Sequence, residues 1–295
     1  PTILQGNKYM DATLYTQNGA ASNVIVNDGQ FKPDLVWIKC RSNSGTFNNL
    51  VDSVRGVSSA LFSNSTAVQD SYPVFSSFNS NGFTLPLGDS GTNNTAGRTQ
   101  VAWQWQAGQS SGSSNTAGSI TSTVSVSTTA GFSVVTYTGT GSVATVGHGL
   151  GVAPKWIVVK GRTNVDNWPV YQASANASPA TGHLLLNTTA AFTSTSSTWN
   201  NTAPTSTVFT IGTDTRINQN TITYVAYCWA EIAGFSAFGS YTGNGSADGP
   251  FVYTGFRPKF VMIKRTDSTG SWFMVDTSRN TYNLTDLSLY ANLTD

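Results

Sequence analysis

The chain has 295 residues, 39% hydrophobic and 12% aromatic, enough to bury several cores and unlike a disordered tail. Charged residues make up only 10%, against a usual share of about 25%, and the net charge is +1 with no run of like charge. That balance excludes the clustered Lys and Arg that hold nucleic acid or an anionic membrane, and no apolar stretch approaches the roughly 18 residues that span a bilayer.

The chain opens on PTILQGNKYM, with Pro where Met would stand and no visible secretory leader. The first recurring element is YTQNG, starting at Tyr15, followed by Pro33 and the run LVWIK at 35–39. This short run, rich in Val, Ile and Trp and closed by a charge, reads as a strand buried on both faces. Its Pro suits strand entry, where no ladder N–H is needed, and its Lys is expected to reach solvent as the strand leaves the core. VSSALF at 57–62 is allowed one turn of helix. NGFTLPLG and QVAWQWQAG then supply two more strands, the second with one wetter face.

Residues 107–131, AGQSSGSSNTAGSITSTVSVSTTAG, come next. The Gly/Ser half reads as a flexible linker, and SITSTVSVS alternates like an edge strand. The elements then repeat: YTGTG at Tyr137, Pro154, WIVVK at 156–160, TVFTIG and TYVAYCWAEIAG. A third copy follows directly through AEIAGFSAFGSYTGNG, so a tight junction is expected there. It carries YTGNG at Tyr241, Pro258 and FVMIK at 260–264. Glycines in these heralds supply the positive φ of tight turns.

From herald Tyr to Pro the spacings are 18, 17 and 17 residues, and Pro33 and Pro154 lie 121 apart. A period near 120 means domain duplication. The expected fold is all-β, tandem β-sandwich repeats of jelly-roll type: a first repeat at 1–108, a linker at 109–130, a second repeat at 131–234 and a partial third at 235–295. The partner strand of the third copy would begin near 326, taking Pro258 plus the 68 residues between Pro33 and Val101. The expectation is therefore a piece of a longer protein, the alternative being a third unit completed by another chain. Trp156 and Phe260 are both assigned to cores, where truncation to Ala costs about 3–5 kcal/mol.

Little catalytic chemistry is visible. Cys40 and Cys228 occupy non-corresponding positions and read as buried thiols. His148 in VGHGLG reads as a turn residue and His183 opens an apolar strand. No nucleophile elbow, phosphate loop or metal-ligand spacing occurs, so no enzyme activity, cofactor or metal is expected. Asp52 with Arg55 and Asp276 with Arg279 recur in the first and third copies, while the matching VYQASA of the second lacks both. That joint loss points to a structural pair bracing a turn. Trp168 and Trp272 correspond in the second and third copies. Rings exposed on a neutral hydroxyl-rich surface would suit sugar stacking, so both are carbohydrate-contact candidates; capping the core is the favoured alternative.

The strings SYTGNGSADGPFVYTGFRPKFVMIKRTDSTGSWFMVDTSRNTYN, TVGHGLGVAPKWIVVKGR and FKPDLVWIKCRS resemble a repeat found in virion proteins of tailed bacteriophages, many of them marine. The resemblance covers nearly all the chain except the Ser/Gly linker. It implies concanavalin-like β-sandwich repeats, a location on the particle surface and a structural or binding role without catalytic residues. A tail fibre or appendage in host attachment is the first expectation and a capsid decoration protein the alternative. A polysaccharide-degrading tailspike or a bacterial surface adhesin stands further off. Expected partners are other virion proteins, a host surface glycan and further copies of the chain, with a trimer among the options; nucleic acid and membrane insertion are not expected.

Overall fold

The computed structural model describes residues 3–86, 94–281 and 283–294. It is all-β, built of antiparallel sheets, with a single four-residue α-helix among the described residues. In the first copy the strands are β1 (Met10–Thr16), β2 (Ser22–Val26), β3 (Leu35–Cys40), β4 (Asn49–Asp52), β5 (Leu61–Phe62), β6 (Ser77–Asn79), β7 (Gly82–Pro86) and β8 (Thr99–Trp105). They form a five-stranded sheet ordered β1-β8-β3-β4-β5 and a small sheet ordered β2-β7-β6. Strand alternation sends Val36, Ile38 and Ala102 toward the small sheet, where they meet Ile25, Phe83 and Leu85. Phe75 stacks on Phe83 with ring centroids 4.6 Å apart. VSSALF holds no helix: Ala60 bridges Asp70, and Leu61 and Phe62 become β5.

The second copy repeats the plan. Its strands are β9 (Ser113–Asn115), β10 (Ser122–Ser127), β11 (Phe132–Thr138), β12 (Ala144–Gly147), β13 (Trp156–Gly161), β14 (Pro169–Gln172), β15 (Gly182–Leu185), β16 (Thr193–Ser194), β17 (Val208–Ile211) and β18 (Thr223–Trp229), with α1 (Thr215–Asn218) before β18. The order β11-β18-β13-β14-β15 matches that of the first copy, and β12 pairs with β17 as β2 pairs with β7. The predicted linker carries two strands: β10 lies on β11, and β9 on β10. SITSTVSVS forms the strand its alternation suggests, with Val124 entering a core, but three residues of the Gly/Ser half pair outside it as β9, so β10 is not the edge.

The third copy supplies β19 (Phe260–Ile263), β20 (Phe273–Asp276) and β21 (Leu289–Tyr290), ordered as β3, β4 and β5 are. The registers agree: Leu35 faces Asp52, Trp156 faces Gln172, and Phe260 faces Asp276. Between β18 and β19, residues 237–259 contain no strand and are largely exposed, so strands occur in the predicted linker and not in the predicted tight junction. The herald glycines behave as their sequence requires: Gly19, Gly141 and Gly245 have φ of 70°, 74° and 71°.

β8 and β18 have no wet face, and both are buried apart from their first residues. Their second face, with Val101, Trp103, Val225 and Tyr227, enters a core that all three copies share. Leu35 and Trp37 of β3, Trp156 and Val158 of β13, and Met274 of β20 meet there, with Phe260 and Met262 packed against it.

Candidate functional site

The strand-closing lysines sit an even number of residues after Leu35, Trp156 and Phe260, so the pleat points them into the shared core side. Lys39 and Lys160 are fully buried, which corrects the expectation that they reach solvent. Each lysine donates across to the loop after the fifth-position strand of another copy. Lys39 Nζ bonds the Leu293 carbonyl at 2.9 Å and Asn48 Oδ1 at 3.0 Å. Lys160 Nζ reaches the Thr66 carbonyl at 3.2 Å, and Lys264 Nζ the Thr189 carbonyl at 3.4 Å. First reaches third, second reaches first, third reaches second: the contacts close a ring. Burial pulls the Lys160 ammonium down to about 8.

Trp168 and Trp272 belong to the same ring. Both are buried, and a buried ring offers no face to a sugar, so neither is a surface contact for carbohydrate. The Trp168 Nε1–H donates to the Ser65 carbonyl at 2.9 Å and that of Trp272 to the Leu185 carbonyl at 2.9 Å, each in the preceding copy. In the first copy the position is Asn48, whose Nδ2 donates to the Leu293 carbonyl at 2.9 Å. A matching asparagine holds each backbone in place: Asn64, Asn187 and Asn292 accept from the amides of Asn48, Trp168 and Trp272.

The carboxylate pairs grip in the opposite sense. Asp52 and Arg55 meet at 2.5 Å with both side chains fully buried, and each bonds Tyr227 Oη of the second copy at 2.9 Å. Burial opposes the Arg55 charge, yet Asp52 and Tyr227 hold its pKa above the ordinary value. Asp276 and Arg279 meet at 2.7 Å; Asp276 accepts from Trp103 Nε1 at 3.1 Å, and the Arg279 guanidinium lies 5.9 Å from the Trp103 ring centre. Trp103 and Tyr227 are register equivalents, opposite Trp37 and Val158. Gln172 holds the corresponding place in the second copy, where it accepts from the Ser174 amide at 2.6 Å.

Both histidines are buried and hydrogen-bonded. His148 is buried, and its Nδ1 accepts from the Leu150 amide at 3.2 Å. His183 Nδ1 contacts Thr198 Oγ1 at 3.0 Å while Arg216 donates to its Nε2 at 2.9 Å; Thr198 and Arg216 both bond Asp214. Burial, then Arg216, pushes His183 down to about 4. Cys40 and Cys228 are buried free thiols. Among the described residues no cluster of three His, Cys, Asp or Glu gathers as for a metal, and no helix is long and apolar enough to cross a membrane.

One large groove, about 1680 Å³, runs along β19, between it and residues 236–242, and continues over Phe273 and Val275 of β20. Trp105, Trp156, Trp229, Phe238, Phe260 and Gln172 are among its walls. Trp156 stacks on Trp229 at 4.4 Å, and Trp105 meets Phe260 edge-on at 5.8 Å. The indole N–H of Trp229 is buried without a partner among the described residues. The sequence pattern locates β19 but not this groove.

A family described as a domain of unknown function, DUF7483, matches residues 5–295, all three copies together. The chain is a member of the DUF7483 family. No curated protein and no solved structure matches it. The match spans the whole of the shared core, across which the three copies bond one another.

Proposed function

We propose that this chain is a structural component of a tailed-phage virion, a fibre or appendage at the particle surface, and that it performs no catalysis. One observation carries the reading. The polar and aromatic groups that recur between copies (the strand lysines, the Asp–Arg pairs and the Trp/Asn positions) are spent on fastening one copy to the next. Such a ring of buried fasteners suits a particle part that must hold its shape outside a cell. A surface low in charge is also little affected by salt. The phage address itself rests on the resemblance of the repeated strings. Gold-labelled antibody on negatively stained phage particles tests it. Label at the tail is expected; label spread over the head would replace the appendage with a decoration protein, and particles without label would overturn the virion assignment.

A further inference from the structure

The strand order of the first two copies defines what the third lacks. β8 lies between β1 and β3, and β18 between β11 and β13. β19 pairs only with β20 among the described residues. The residues that correspond to β1 and β11, at 236–242, form no strand. The large groove lies between them and β19, lined by both.

The free edge has a definable register. The Thr277 amide donates to the Lys259 carbonyl, so in the alternation that follows residues 261 and 263 face β20. Phe260 and Met262 therefore turn their N–H groups to the groove. In the equivalent strand, the Lys155 and Arg162 amides bond the carbonyls of Trp229 and Thr223 in β18. The side chains are defined too. Opposite the Phe260 position stand Trp105 and Trp229; opposite the Met262 position, Trp103 and Tyr227; opposite the Lys264 position, Val101 and Val225. Between them, Ala102 and Ala226 are small where the strand faces its own sandwich core. Gln172, whose Nε2 donates to the Gly239 carbonyl at 3.4 Å, stands where Asp52 grips Tyr227 and Asp276 grips Trp103.

We propose that the groove beside β19 is the acceptor slot for one extended polypeptide strand of the pattern Val-Ala-(Trp or Tyr)-x-Trp, supplied from outside residues 1–295. The strand runs antiparallel to β19, completes its ladder, and places its central aromatic ring against Gln172. Residues 236–242 then pair with the strand's other edge, as β1 pairs with β8, which makes this recognition by strand addition at both edges. The inference rests on register and packing and does not depend on the virion assignment.

The test uses the whole 295-residue chain and a fluorescent peptide copying residues 98–108, RTQVAWQWQAG. The expected result is saturable binding by anisotropy. Hydrogen exchange should slow by about tenfold or more across 236–242 and 259–266, because an edge that gains ladder bonds opens less often. A peptide with Ser at both Trp positions should not bind. Protection confined to the first copy would mean that the peptide displaces β8, and would overturn the proposal. So would absence of saturable binding. Protection of the same two segments without peptide, in a dimer seen by sedimentation, would make a second copy the occupant and also overturn it.

Discussion

β13 and β19 carry almost the same pattern, WIVVK and FVMIK, behind the same Pro and in the same register to the next strand. β13 is buried at every position; β19 is half-buried at three and exposed at the fourth. The difference comes from neighbours. β13 has β18 on one edge and the β12–β17 pair over its outer face, through Ile157 and Val159. β19 lacks both, so Val261 and Ile263 look outward. A strand's sequence states how much burial it wants, and the elements that flank it decide how much it gets.

The comparison can be broken most forcefully at its aromatic anchors. Trp156→Ala should cost about 3–5 kcal/mol, the usual toll for a large core truncation. Phe260→Ala should cost about 1–2 kcal/mol, less than its sequence suggests, because the ring is only partly removed from water. Equal shifts of the urea midpoint would show that β19 is as well covered as β13.

The fasteners offer a second contrast. Arg55→Ala leaves the Asp52 carboxylate buried and unpaired and should cost about 3–5 kcal/mol. Gln172→Ala, at the same place in the second copy but with no strand to grip, should change stability by about 0.5 kcal/mol or less. A loss at Gln172 as large as that at Arg55 in urea unfolding would mean that its bonds to the Ser174 amide and the Gly239 carbonyl are themselves a fastener.

Protonation separates the copies by smaller amounts. Lys160 titrates near 8 when folded and near its ordinary 10.5 when unfolded. Below pH 8 both states are charged and the fold bears the whole penalty; as pH rises from 8 toward 10 the folded lysine sheds its proton first, and stability climbs. Lys160→Met should remove that climb, on the order of 2 kcal/mol, whereas Lys264→Met, half-exposed, should remove much less. His183 works at the other end. Its folded value of about 4 lies below the ordinary 6.5, so the unfolded chain takes up the proton first and stability falls as pH drops from 6.5 to 4. His183→Gln should flatten that limb by on the order of 1–2 kcal/mol; an unchanged slope in pH-dependent melting would reassign it to other groups.

The hairpins were legible because their signals are local. Pro, a both-faces apolar run and a closing Lys fix a strand whatever surrounds it, and the shared loss of Asp and Arg in the second copy marked them as partners. What lay across the second face was not legible, since apolar residues report burial without naming the neighbour. The lysines show the cost of that gap: Lys after a buried run ordinarily emerges into water, yet Lys39 and Lys160 meet carbonyls of another copy about one sheet away. Trp168 and Trp272 were readable as equivalent, but their first-copy counterpart Asn48 has a different side chain, which hid the threefold pattern. The groove is read only from strand order and the shared core together, and neither is local to the sequence.

Asn48 and Leu293 stand 245 residues apart in the chain, yet one bonds the other at the heart of the ring. On a ribosome adding about 5–20 residues each second, Asn48 waits roughly 12 to 49 s after it is made before that bond can form. Through that interval Trp37, Leu50 and Trp103 face solvent or whatever else is near. The first copy is thus born sticky on one side, and crowding by sister chains during synthesis is the hazard this architecture must outrun.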